Sequence, residues 1–389
     1  MKRKVVLLLA YLFLAAICTA AYVGHAGPGS RLLEGPYLQN VTLTSIVVMW
    51  ETSQPSDSRV DFGPTREYTN HVHDSAPRAI HQVTLPGLQA NTQYHYRVAS
   101  ARDKETIASD DNTLQTAVAP GTPFRFAVYG DTRTRPQAHS QVVHGIAGSH
   151  PRFVIHTGDL VENGQEYPRW QTEYFGPAAE LLKSTPLFPC LGNHEESSEW
   201  YYRLFSPPRG GGHRDEQWYS FDYGDAHFAV IDTDSSFSPG SDQYVWLEKD
   251  LRSARAEWLF VVHHHPAFSS GGHGGTETVQ KYLVPLYEAC HVDMVFNGHD
   301  HDYERTYPLD GGVVVNQGQE PHYTSPAGTV YVVTAGGGQS LYTKATVNPF
   351  TAFYESTHHM VQVDIDGSSL TLTAIRSDGS TMDTMTIDK

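Results

Sequence analysis

Between residue 33 and about 117, apolar and polar positions alternate in short runs. "TSIVVMWET" alternates around Trp50, and "HQVTLPGLQANTQYHYRVAS" gives a strand, a turn and a second strand with Tyr94, Tyr96 and Val98 on one face; successive side chains of a strand point to opposite faces. Pro55, Gly63, Pro86, Gly87 and Asn91 punctuate these runs at short spacing, the pattern of an all-β sandwich. "TAVAPGTP" (116–123) is a linker, and beyond it the pattern changes. Apolar strands "FRFAVYG", "RFVIHTG", "PLFPCLG", "HFAVIDT", "WLFVVHH" and "VDMVFNG" are interspersed with helical stretches near 135–148, 166–182, 242–254 and 276–289. That order predicts a largely parallel sheet covered on both faces. After residue 328 strands dominate again, and the Asp-Gly turns in "DIDGSS" and "RSDGST" predict antiparallel hairpins. The expected fold is therefore two domains, an all-β sandwich over 33–117 and an α/β domain over 124–389 with mixed β-sheets flanked by helices.

The first 26 residues stand apart. Lys2, Arg3 and Lys4 precede an apolar run from Val5 to about Ala21 and then small residues, the form of a signal peptide over 1–26. The expected location is secreted or periplasmic, with membrane association only if this segment stays uncleaved. Cys190 and Cys290 remain after cleavage and are expected as buried thiols rather than a bridge. The net charge of −16 over 389 residues argues against nucleic acid as a partner. Any anionic substrate must therefore be captured by a local positive centre.

Five polar clusters each follow a strand signal: "GDTR" (130–133), "GDLVENG" (158–164), "GNHE" (192–195), "HHHP" (263–266) and "GHDH" (298–301). Parallel strands place their carboxyl ends on one edge, where ligand and catalytic groups collect in α/β sheets. Asp131, Asp159, Asn193, His264, His299 and His301 supply oxygen and nitrogen donors and no thiolate, a set that suits Fe, Zn or Mn rather than Ca²⁺. Six donors are too many for one four-coordinate ion but fit two ions sharing a carboxylate. Such a pair activates hydroxide and steadies both oxygens of an in-line displacement at phosphorus.

The order of these motifs resembles the calcineurin-like metallophosphoesterase superfamily. "GHDHDYERT" and the opening "GPYLQNVTLTSIVVMWET" look like the purple acid phosphatases, and "LQANTQY" looks like the tyrosine corner of a fibronectin type III module, with Tyr94 as its tyrosine. The resemblance implies that Asp159 bridges two metals, that Asp131 and His301 hold the first, and that Asn193, His264 and His299 hold the second. It implies a phosphate contact and leaving-group protonation by His194, a phosphate-side role for His273, and Glu195 orienting His194. Its implied activity is hydrolysis of small phosphomonoesters by metal-activated hydroxide attack, with two divalent or mixed Fe/divalent ions. Two positions depart from the pattern. Glu162 stands where the family's tyrosinate gives the purple colour, which points to a colourless, divalent pair. Arg133 stands two residues after Asp131, either clamping phosphate or pairing with Glu162. Two rivals remain open: a phosphodiesterase using the same site, cyclic nucleotides included, and a fibronectin-type binding protein with a dead centre. His263 and His265 are expected to turn away from His264 as packing residues.

Overall fold

The computed structural model describes residues 30–343 and 347–389, so the expected signal segment lies outside the described residues. The N-terminal domain is a β-sandwich built on one long strand, Ser45–Gly63. Its first half pairs with Leu32–Gln39 and its second half with Gln93–Arg102, and the long strand Asn70–Pro86 runs beside both halves. Irregular register between Glu51 and Ser58 bends the pair, which lets one strand serve both layers. Trp50 fills the core, stacks on His81 at 4.6 Å and donates from Nε1 to Ser100 Oγ at 3.0 Å. Tyr94, Tyr96 and Val98 share the buried face, and the Gln89 N–H donates to the Tyr94 hydroxyl at 3.0 Å, closing the corner.

The second domain differs from a single covered parallel sheet. Among the described residues its strands form two large sheets packed face to face, and a two-stranded ribbon pairs Leu309–Asp310 with Val313–Val314. The larger sheet holds the parallel strands Phe124–Tyr129, Val154–His156 and Leu187–Pro189. The seven-stranded sheet holds Ala226–Val230, Trp258–Val262, Met294–Asn297 and Val330–Thr334, also parallel. Alternation sorts each strand between two cores. Phe126 and Val128 meet Phe228, Phe260 and Phe296 between the sheets, with Phe126 lying 5.2 Å from Phe228. Ala127 and Tyr129 face outward onto the helix Pro136–Ser149 and its neighbours. Ala229, Val261 and Val295 face outward onto the helices Asp242–Ser253, Glu277–Tyr282 and Val284–Ala289. The result is four layers, helix, sheet, sheet and helix. The tail strands His359–Asp366, Ser369–Arg376 and Thr381–Asp388 form the expected antiparallel hairpins and extend the larger sheet. Val330–Thr334 instead lies parallel to Met294–Asn297.

The two domains are joined by backbone as well as side chains. Gln39 pairs with Leu187 in parallel, so the larger sheet runs on into the sandwich. Tyr37 Oη donates to Leu204 O at 2.8 Å and Tyr96 Oη to Lys183 O at 2.6 Å. Among the described residues Cys190 and Cys290 are free; Cys190 is buried, but Cys290 is only half-buried at the end of its helix. No helix among the described residues is long and apolar enough to cross a membrane.

Candidate metal centre

All five polar clusters lie at the carboxyl ends of parallel strands, three on the larger sheet and two on its partner. The register holds the tips level: Tyr129 is opposite His156, and His156 is opposite Pro189. Each chain then turns sharply. Asp131 (φ 57°), Asp159 (φ 57°) and His299 (φ 73°) all sit in the left-handed region, where non-glycine residues are uncommon and strain gathers at functional sites. The glycine before the donor residue has a steric reason. A Cβ on Gly298 would lie 2.6 Å from Asp131 Oδ2, and one on Gly192 would lie 2.4 Å from Asp159 Oδ1.

These turns bring the six expected donors together. Donor atoms of Asp131, Asp159 and His264 lie within 4.8 Å of one another, and all three residues are buried. His264 Nε2 is 3.1 Å from Asn193 Oδ1 and 3.4 Å from Asp159 Oδ1. His301 Nε2 is 3.5 Å from Asp131 Oδ1, and the His299 N–H donates to Asp131 Oδ2 at 3.1 Å. The His299 ring lies 5.1 Å from that of His264. Carbonyls behind the site fix the tautomers: His264 Nδ1 is 2.9 Å from Thr157 O, and His301 Nδ1 is 2.8 Å from Ser340 O. Each Nδ1–H donates outward and each Nε2 lone pair faces inward, the arrangement of metal-ligating histidines.

The donor set fits a cation. The Nε2 lone pair of a neutral His264 would face two oxygen lone pairs among buried side chains. Without a positive charge between them that convergence is repulsive. In the isolated chain a proton takes the place of the cation: burial opposes charge on His264, but Asp159 outweighs it and pushes the pKa up to about 10. Burial and the neighbouring His264, His265 and His273 press His299 down to about 2, which leaves its nitrogen lone pair free.

The other expected residues surround this cluster. The His194 N–H donates to Asp159 Oδ1 at 3.0 Å, its Nδ1–H donates to Glu162 O at 2.7 Å, and Nε2 lies 3.9 Å from Asp159 Oδ2. His273 is exposed at the rim; its ring stacks on His299 at 4.4 Å, and Nε2 is 3.1 Å from Tyr342 Oη. Arg133 donates from Nε to Asp159 Oδ2 at 3.1 Å and from Nη1 to Glu162 Oε2 at 2.5 Å, with Nη2 3.3 Å from His301 Nε2. The pairing with Glu162 is therefore present, and it extends into the cluster.

Two neighbours behave otherwise than expected. The Glu195 carboxylate makes no hydrogen bond to the His194 ring, which is held by Glu162 O instead. It is fully buried and accepts the N–H groups of Asp159, Gly192, Leu160 and Val161, so it shapes the backbone that presents Asp159. His265 does not turn away. The strand ends at Val262, so alternation lapses, and the His265 ring lies 4.5 Å from His299. His263 does turn inward, taking a hydrogen bond from Asn297 Nδ2 at 3.0 Å. The remaining carboxylates of the last motif hold loops: Asp300 accepts from Ser269 Oγ and from the His273 and Gly274 N–H groups, and Asp302 accepts from Tyr354 Oη. Tyr342, which no sequence signal marks, stacks on His301 at 4.2 Å. The glycine run before it braces the Asp131 turn, with the Gly337 N–H donating to Gly130 O at 2.8 Å.

Comparison with known proteins agrees with this architecture. Residues 124–303 match the calcineurin-like phosphoesterase family, and residues 35–116 match the purple acid phosphatase N-terminal domain. The chain is 28% identical to acid phosphatase type 7 of Mus musculus, over 76% of this chain and 75% of that one. It is 28% identical to purple acid phosphatase 21 of Arabidopsis thaliana, over 76% of this chain and 67% of that one. The structure of purple acid phosphatase PPD1 from yellow lupin (Lupinus luteus) superposes with a TM-score of 0.81 at 24% identity, covering 92% of this chain and 74% of that one. Residues 124–303 are thus a calcineurin-like metallophosphoesterase domain, and residues 35–116 are the N-terminal domain of the purple acid phosphatases.

Proposed function

We propose that the protein is a secreted or periplasmic hydrolase of small phosphomonoesters that works through two divalent ions drawn from Fe, Zn and Mn. The observation that carries this reading is the convergence of Asp131, Asp159, Asn193, His264, His299 and His301 at the ends of five strands, with Nε2 of His264 and His301 turned inward. Asn193, His264 and His299 would hold one ion, Asp131 and His301 the other, and Asp159 both. Such ions supply Lewis acidity and lower the pKa of water toward neutrality.

The chain's own residues do the rest. His194 lies beside Asp159 with Nδ1–H anchored on Glu162 O, so Nε2 is the atom that meets substrate and passes a proton to the departing alcohol oxygen. A positioned imidazole of this kind is worth about 10²–10⁴-fold. His273 and Tyr342 border the mouth and orient the ester, and Arg133 supplies a fixed positive charge to a phosphate in an otherwise acidic protein. Glu162 in place of a tyrosinate removes the charge-transfer ligand, which supports a colourless protein.

The test combines elemental analysis of the purified protein with hydrolysis of an aryl monophosphate and a bis-aryl phosphate, before and after Asn193→Ala. The proposal expects bound metal, faster monoester turnover, and a loss of at least about hundredfold in the variant. Faster diester turnover would move the site to phosphodiesters. A metal-free, inert wild type would point to a binding protein instead.

A further inference from the structure

The two halves of the centre are not equivalent. On one side His264 Nε2 lies 3.1 Å from Asn193 Oδ1 and 3.4 Å from Asp159 Oδ1, and among the described residues no arginine or lysine is paired with these three atoms. On the other side, Arg133 hydrogen-bonds two of the donor atoms: Nε reaches Asp159 Oδ2 at 3.1 Å, and Nη2 lies 3.3 Å from His301 Nε2. The Ser340 carbonyl takes the His301 Nδ1 proton, so Nε2 is an acceptor and the guanidinium occupies its lone pair. The Arg133 side chain is 10% exposed and stays protonated, so it acts as a permanent internal cation. Its third contact, Nη1 to Glu162 Oε2, leads outward, because the Glu162 side chain is 36% exposed.

We propose that Arg133 is a resident competitor for the Asp131–His301 half of the centre, so that the two metal positions fill in order. The Asn193–His264–His299 half fills first. The Asp131–His301 half fills only when the guanidinium gives up Asp159 and His301 and withdraws along its bond to Glu162. A phosphate group offers the withdrawn guanidinium a bidentate partner. Phosphate and the second ion therefore help each other to bind, as linkage requires. The inference rests on the dinuclear reading above, and its test separates the two.

Metal-stripped protein is titrated with Co²⁺, followed by calorimetry and by the visible absorption of the bound ion, with and without inorganic phosphate. For the wild type the second ion binds at least about tenfold more weakly than the first, the equivalent of one charge-assisted hydrogen bond. Phosphate narrows that gap. Arg133→Met, which keeps the bulk but not the charge, tightens the second site by at least about tenfold and leaves the first within about threefold. The intact first site then doubles as the check on folding. Arg133→Lys keeps the charge but not the fork, and it narrows the gap in part. Equal affinities in the wild type, an unchanged gap in Arg133→Met, or an Arg133→Lys protein indistinguishable from wild type would each overturn the ordered filling while leaving a metal hydrolase in place. A wild type that binds no Co²⁺ would overturn the dinuclear reading as well.

Discussion

Replacing Glu195 by Gln changes one atom and tests how the Asp159 turn is held. Oε2 accepts from Asp159 N at 2.9 Å and Gly192 N at 2.7 Å, while Oε1 accepts from Leu160 N at 2.8 Å and Val161 N at 3.3 Å. Burial and the Asp159 carboxylate push the Glu195 pKa up, against the backbone N–H groups that favour the charged form. With four donors around it and no acceptor, the carboxylate is the form this loop surrounds. A glutamine can offer its oxygen to one pair of N–H groups only, and the other pair then faces an NH₂. Two hydrogen bonds to a charged group are worth about 3–6 kcal/mol together. Removing a buried negative charge beside Asp159 offsets part of this, leaving a net loss of about 2–4 kcal/mol. The assay is urea unfolding of metal-free protein at pH 7, read as a fall in midpoint at unchanged slope. A Glu195→Gln protein within about 1 kcal/mol of wild type would refute the reasoning, because single surface changes already reach ~0.5 kcal/mol.

Three further outcomes follow from other parts of the fold. Arg305, 1% exposed, binds both Asp383 and Glu320, so Arg305→Met should cost about 3–5 kcal/mol in a urea melt by leaving the Asp383 charge uncompensated. Burial opposes the charge on His227, but Asp222 and Asp250, at 2.7 and 2.9 Å, raise its pKa to about 9. Its stabilisation is complete below the unfolded value of about 6.5 and fades as pH rises through 9. Because Asp222 is largely exposed, that stabilisation amounts to about 1–2 kcal/mol, and a His227→Gln protein should show a thermal midpoint that no longer falls across this window. Tyr342→Phe removes the hydroxyl beside His273 Nε2 while keeping the stack on His301; it should raise KM for an aryl phosphate several-fold with a smaller change in kcat.

The legible parts of the chain were those where one physical constraint acts alone. An apolar run that stops at Asp, Asn or His marks a strand tip, and that rule located the five tips whose six candidate donors the fold gathers. Alternation marked the buried face of Tyr94, Tyr96 and Val98 because the opposite face of that strand is wetter. The division of the catalytic strands into two sheets was not legible. Phe126 and Ala127 face different cores, but both cores are apolar, so neither the pattern nor the composition records which sheet a strand joins. The resemblance implies that Glu195 orients His194. The short 3₁₀ turn Asn193–Glu195 instead turns the carboxylate back onto backbone N–H groups. His265 was misread because alternation was carried past Val262, where the strand ends. Tyr342 reaches the site only through the packing of the loop after Gly336–Gly338 against the Asp131 turn, a long-range contact with no local signature.

The most direct measurement is anomalous diffraction from crystals of the full protein soaked in excess Mn²⁺. Two peaks about 3.5–4 Å apart should flank the Asp159 carboxylate, one against Asn193, His264 and His299 and the other against Asp131 and His301. A map with no peak among these six side chains, or with metal bound only elsewhere, would contradict the dinuclear centre and the hydrolase built on it.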